Sequence, residues 1–152
     1  MKSENKFAFN WVLINELMVG SIPLGKEDAL ILKNKGIKSI LSLCSDDEAV
    51  IYESIDSLFH RKQYILPDHK YSESLSINDI NEVLAILSEQ VDNGPVYVHC
   101  FAGVERSPLI CMAWLIKSQG LSVVEALNYM MSIHKRTNPL PEQINCLHKL
   151  IS

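Results

Sequence analysis

The chain has 152 residues, 47% of them hydrophobic and 21% charged, which describes a globular domain with room for a substantial core and excludes disordered and fibrous classes. The net charge of −4 argues against a general nucleic-acid binder, while leaving room for a local basic pocket. No apolar run reaches the length of a membrane span, and Met1–Lys6 lacks the apolar core of a signal peptide. Cys44, Cys100, Cys111 and Cys146 are widely spread without metal-ligand spacing, so free thiols and a cytoplasmic protein are expected, with no membrane or nucleic-acid partner.

Trp11–Ile14 and Leu17–Gly20 read as two short strands around Asn15-Glu16. Lys26–Lys35 has helical spacing and Gly36 ends it, after which Ile37–Cys44 reads as a buried strand. Asp46 and Asp47 open a predicted helix through Phe59 with acidic residues in its first turn. Gln63–Leu66 is a further short strand, and Pro67 starts a loop. Ser76, with Asp79 three positions on, caps a helix that Asn93-Gly94 closes. A strand at 95–99 and an apolar helix from Ser107 to Gln119 follow. Gly120 stops that helix, and Ser122-Val123-Val124-Glu125 is a capping box for another through His134. Pro139 and Pro141 break the chain before a last helix at Glu142–Leu150. No repeat or linker divides the chain, so residues 1–152 form one predicted α/β domain. Its mostly parallel central sheet is flanked by helices on both faces.

The stretch from His99 to Ser107 carries the chemistry. Cys100 and Arg106 are separated by five residues, Phe101-Ala102-Gly103-Val104-Glu105, at the join of a predicted strand and helix. Such a loop can aim several backbone N–H groups inward and adds the positive end of a helix dipole, which makes an anion cradle of phosphate size. Arg106 at its rim can grip two phosphate oxygens with a planar fork, which lysine cannot. Cys100 then sits under the anion, where the same donors stabilise a thiolate. Gly103 supplies backbone freedom, Ser107 can donate to the sulfur, and His99 can brace the loop from the strand.

On these residues the chain resembles the cysteine-dependent protein tyrosine phosphatase superfamily, with its His-Cys-x5-Arg-Ser/Thr loop. Its compact dual-specificity branch is the nearest match, over about residues 60–120 and with Val19–Pro23 as an entry strand. The resemblance implies a cofactor-independent hydrolase acting on phosphorylated proteins, on phosphotyrosine and also phosphoserine/threonine, through a phosphocysteine. No metal is required, because positive charge comes from Arg106 and the loop dipoles. The same chemistry on a phosphoinositide, an RNA 5′ end or a phosphoglycan stays open, as does a pocket that only binds phosphopeptides.

Expulsion of an alkoxide or phenoxide calls for a general acid. Asp68, on the loop after a predicted strand and 32 residues before Cys100, is the candidate, and the family places its acid aspartate similarly. Asp46, Asp47 and Glu48 read instead as helix-starting charges. Glu105 departs from the small or uncharged residue the family often has before the arginine; it is expected to point outward and pair with a lysine, and a role as secondary acid stays open. His134, Lys135 and Arg136 are expected to form a solvated basic patch, and Gln143 a plain surface position. The resemblance also offers Cys44, at a strand end beside the loop, as a redox partner for Cys100.

Overall fold

The computed structural model describes residues 7–46, 55–67 and 75–151. Three strands with every residue buried form the middle of its sheet: β2 (Leu17–Gly20), β5 (Val96–His99) and β3 (Ser39–Ser42). They pair in parallel, β5 between the other two, with Gly20 and Ser42 both opposite His99. The edges are β1 (Phe9–Leu13), antiparallel to β2, and β4 (His60–Gln63), parallel to β3. The order β1-β2-β5-β3-β4 is the expected mostly parallel sheet, made mixed by one hairpin.

Alternation along the strands divides the core between two faces. Met18, Ile40 and Tyr97 pack on one side with Ala29 and Leu32 of α1 (Lys26–Asn34) and Ile55 of α2 (Ile55–Leu58). Their neighbours Leu17, Val19, Leu41, Val96 and Val98 face the other side. There they meet α3 (Ile77–Val91), α4 (Arg106–Gln119), α5 (Val123–Ile133) and α6 (Pro141–Leu147). Helices on both faces explain why the inner strands are buried throughout. The caps at Ser76 and Ser122 form as reciprocal boxes with Asp79 and Glu125, and Gly120 takes the left-handed conformation that ends α4. No helix among the described residues is long and apolar enough to cross a membrane.

β1 and β3 are shifted or trimmed against expectation, to Phe9–Leu13 and Ser39–Ser42, and three other elements differ more. The fourth strand is His60–Gln63, with three of its four residues exposed or nearly so, rather than the apolar Gln63–Leu66. An edge strand needs a partner on one side only and leaves the other to water, so polar residues serve it well. Tyr64 and Leu66 still donate to the Ser42 and Leu43 carbonyls, at 2.9 and 3.0 Å, as an irregular continuation. Of the helix expected over 46–59, residues 55–58 are helical, and Asp47 and Glu48 lie outside the described residues. The last helix begins at Pro141, where the absent N–H is no loss, and passes into a 3-10 turn over His148–Ile151.

Candidate active site

The loop Cys100–Glu105 leaves the carboxyl end of β5, between β2 and β3, and enters α4 at Arg106. Each of its six carbonyl oxygens is hydrogen-bonded. Cys100 O accepts from His99 Nδ1 (3.0 Å) and Phe101 O from Ile22 N (3.0 Å). Ala102 O accepts from Arg136 Nε (3.1 Å), and Gly103 O from His134 Nε2 (2.7 Å). Val104 O accepts from Asn138 N (2.8 Å), and Glu105 O from Leu109 N within α4 (3.0 Å). In a trans peptide the N–H points opposite the carbonyl, and no described peptide bond is cis. Carbonyls held by surrounding elements therefore turn the amides of residues 101–106 toward the centre of the loop. This is an anion nest at a helix N-terminus.

Glycine is required at Gly103. Its φ is +74°, and a Cβ there would meet the Gly20 carbonyl carbon at 2.8 Å, against backbone that cannot yield.

Cys100 is buried at the base of the nest, with Sγ 3.2 Å from Ser107 Oγ and 3.4 Å from the Ser107 amide, which donates to it. Ser107 Oγ is also 3.4 Å from the Gly20 carbonyl. Its single hydrogen can thus rest on Gly20 and turn to the sulfur when the thiol ionises. Arg106 is buried and donates from one guanidinium nitrogen to the Leu66 carbonyl at 3.3 Å. That bond ties the fork to the segment that runs into Asp68. Asp68, His69, Lys70 and Tyr71 lie outside the described residues. Phe101 stands 45% exposed beside the thiol, as an apolar wall at the mouth.

Several residues lie elsewhere than expected. Glu105 is the half-buried residue before α4, and its Oε1 is shielded from solvent. His134 is fully buried rather than part of a solvated patch. Its Nδ1 lies 2.8 Å from Asn10 Nδ2 and its Nε2 holds Gly103 O. With Arg136 and Asn138 it forms a clasp behind the loop. Gln143 is buried and its Oε1 accepts from the Leu140 N–H at 2.7 Å, closing the start of α6. Cys44 is fully buried just past β3, and none of the four cysteines is in a disulfide.

His99 is held neutral. Burial pushes its pKa down to about 4, aided by the charges of Arg61 and Arg106 and opposed by its bond to Cys100 O. Burial likewise lowers His134, against its bond to Gly103 O and with help from Arg136. Folded values below the unfolded 6.5 mean that the unfolded chain binds more protons in acid. The stabilisation is complete above about pH 6.5 and is lost as pH falls through about 4. For His99 this amounts to about 3 kcal/mol by pH 4. Urea unfolding at pH 7, 5.5 and 4 should show a steady decline, shallower in His134→Gln; a flat profile would contradict it.

The family profile described as "Dual specificity phosphatase, catalytic domain" matches residues 20–151. The chain is 28% identical over 144 residues to the Arabidopsis thaliana phosphatidylglycerophosphate phosphatase PTPMT2, covering 93% of this chain and 62% of that protein. It is 32% identical over 115 residues to the Drosophila melanogaster dual specificity protein phosphatase Mpk3, covering 73% of this chain and 27% of that one. The chain therefore spans about three-fifths or less of the length of these relatives. A crystal structure of PTPMT1 in complex with PI(5)P superposes with a TM-score of 0.81 at 17% identity, over 93% of each chain. That likeness concerns the fold.

Proposed function

The chain belongs to the dual specificity phosphatase family, cysteine-based phosphatases, and from that premise we propose that it hydrolyses phosphate monoesters of proteins, phosphotyrosine foremost, through Cys100. The observation that carries this reading is the set of six restrained loop carbonyls, which turns the amides inward in the loop that begins at Cys100. The thiolate attacks phosphorus in line while the amides and Arg106 hold the equatorial oxygens. Asp68 protonates the leaving oxygen. Water then attacks the phosphocysteine with Asp68 as base, and Ser107 donates to the departing sulfur. Exposed Phe101 offers an aromatic leaving group a flat apolar neighbour.

A second reading, a phospholipid monoester as substrate, is favoured by one observation. The relative named a phosphatidylglycerophosphate phosphatase aligns with 93% of this chain. The deciding experiment is a panel of phosphotyrosine peptides, phosphatidylglycerophosphate and phosphoinositides, run beside a small aryl phosphate with chelator present. Faster release from the lipids overturns the protein reading, and no turnover of the aryl phosphate overturns both.

Asp68 has its own test. Protonation matters most for a poor leaving group, so Asp68→Asn should slow an alkyl phosphate by about 10²-fold or more and an activated aryl ester far less. Equal losses on the two would exclude Asp68 as the acid.

A further inference from the structure

Behind the loop, on the α1/α2 side of the sheet, lies a buried line of polar groups with no catalytic atom of its own. Arg61 Nε on β4 donates to Ser42 Oγ on β3 at 3.0 Å. Ser42 Oγ lies 2.7 Å from His99 Nε2 on β5, and His99 Nδ1 lies 3.0 Å from the Cys100 carbonyl. Ser42 and His99 are fully buried.

The hydrogens on this line can be assigned by elimination. A carbonyl only accepts, so His99 Nδ1 carries the hydrogen toward Cys100 O. The ring is neutral, held so mainly by burial, so Nε2 is bare and must accept. Ser42 O–H is therefore its donor. Ser42 Oγ in turn accepts from Arg61, whose guanidinium has five donors and no acceptor and cannot reverse its role. The line thus has two irreversible ends, the Cys100 carbonyl that only accepts and Arg61 that only donates, and the directions between them are consistent with both.

We propose that Arg61 is a positioning residue of the active site: acting through Ser42, it fixes the tautomer of His99 and thereby the orientation of the Cys100–Phe101 peptide. The proposal rests on the phosphatase reading for its catalytic consequence, although not for the hydrogen-bond line itself. Without the Arg61 donor the Ser42 hydroxyl is free to rotate and accept from a hydrogen on Nε2. The Nδ1 lone pair would then face the Cys100 carbonyl, and the repulsion would turn that peptide. The Phe101 amide, first of the inward series, would turn with it. Arg61 is itself oriented by Asp46 (3.7 Å) and Asp56 (3.8 Å), but these carboxylates are 75% and 69% exposed and their pull is screened by water.

Two substitutions separate positioning from general support. Arg61→Met keeps the aliphatic stem and removes the donor. Arg61→Gln places an amide N–H where Arg61 Nε now sits. Both lose the contacts to Asp46 and Asp56, so a merely structural role predicts the same outcome for each. Positioning predicts that Arg61→Met lowers kcat/KM on an aryl phosphate by about 10- to 100-fold, and that Arg61→Gln recovers most of the loss. Nitrogen NMR of the His99 ring should show one Nδ1–H tautomer in the unmodified protein and in Arg61→Gln, with the Nε2–H form appearing in Arg61→Met. Ser42→Ala should cost as much as Arg61→Met, and the double variant no more than either, because the two act in series. If Arg61→Met fails to fold, Ser42→Ala with and without Arg61→Gln decides the same point: on the alanine background, glutamine for arginine should change nothing. Equal activity and equal tautomers in the Met and Gln variants, or additive losses with Ser42→Ala, overturn the proposal. Absence of phosphatase activity in the unmodified protein would instead overturn the functional reading, while the ring tautomers would still decide the line.

Discussion

Cys100→Ser is expected to reduce turnover by on the order of 10⁴-fold or more while leaving anion binding largely intact. The amides that form the nest belong to the backbone, and their carbonyl anchors at Ile22, His134, Arg136 and Asn138 are untouched by a change at sulfur. What is lost is an ionisable nucleophile: a serine hydroxyl at the same place stays protonated near neutrality, and no described side chain stands beside it as a base. The Ser107 hydroxyl and amide that meet Sγ at 3.2 and 3.4 Å are donors to an anion and do not remove a proton. The measurement pairs steady-state hydrolysis of an aryl phosphate with calorimetric titration of inorganic phosphate or tungstate. Activity within 100-fold of the unmodified protein would exclude a phosphocysteine. Loss of oxyanion binding together with activity would mean that the sulfur, rather than the backbone, organises the nest.

Arg106→Lys is expected to cost about 10³-fold in kcat/KM although the charge is kept. The Arg106 side chain is 5% exposed and already engages the Leu66 carbonyl through one nitrogen. A guanidinium can keep that anchor and still present a planar pair of N–H groups to two phosphate oxygens. A lysine's three donors all fan from one nitrogen, so it cannot span the Leu66 carbonyl and two phosphate oxygens as the fork does, and its hold on one of them is lost. Releasing Leu66 frees the segment leading to Asp68, so the variant should lose both oxyanion affinity and rate. Thermal stability should fall modestly, by about 1 kcal/mol for the lost hydrogen bond. A lysine variant within tenfold of the unmodified protein would show that charge alone suffices here and that the fork has no special part.

Much of the fold and the centre of the site could be read from the chain, and the failures share one cause. The caps at Ser76 and Ser122, the stop at Gly120 and the strand before Cys100 were legible because each depends on neighbours within four residues. Apolar content points to Gln63–Leu66 as the fourth strand, whereas an edge strand next to water is marked by its partner β3 and falls at His60–Gln63. A histidine followed by lysine and arginine at a helix end is usually solvated, but His134 is buried. Its burial comes from packing that local spacing does not encode.

The amino-acid order by itself determined the reactive core. Cys100, Gly103, Arg106 and Ser107 lie on one loop between a strand and a helix, so their proximity is a property of a short covalent segment and survives any error about the remaining architecture. Only the tertiary structure decided what holds that loop in shape. Gly103 O meets a residue 31 positions away, His99 meets Ser42 at a separation of 57, and His134 meets Asn10 at 124. Single polar residues at such separations carry no periodicity and no motif. Ser42 and His99 come together because parallel pairing sets β3 and β5 in one register, while His134 reaches Asn10 and Gly103 because it ends α5, which packs on β1. Buried polar groups must then find partners among whatever the packing brings near.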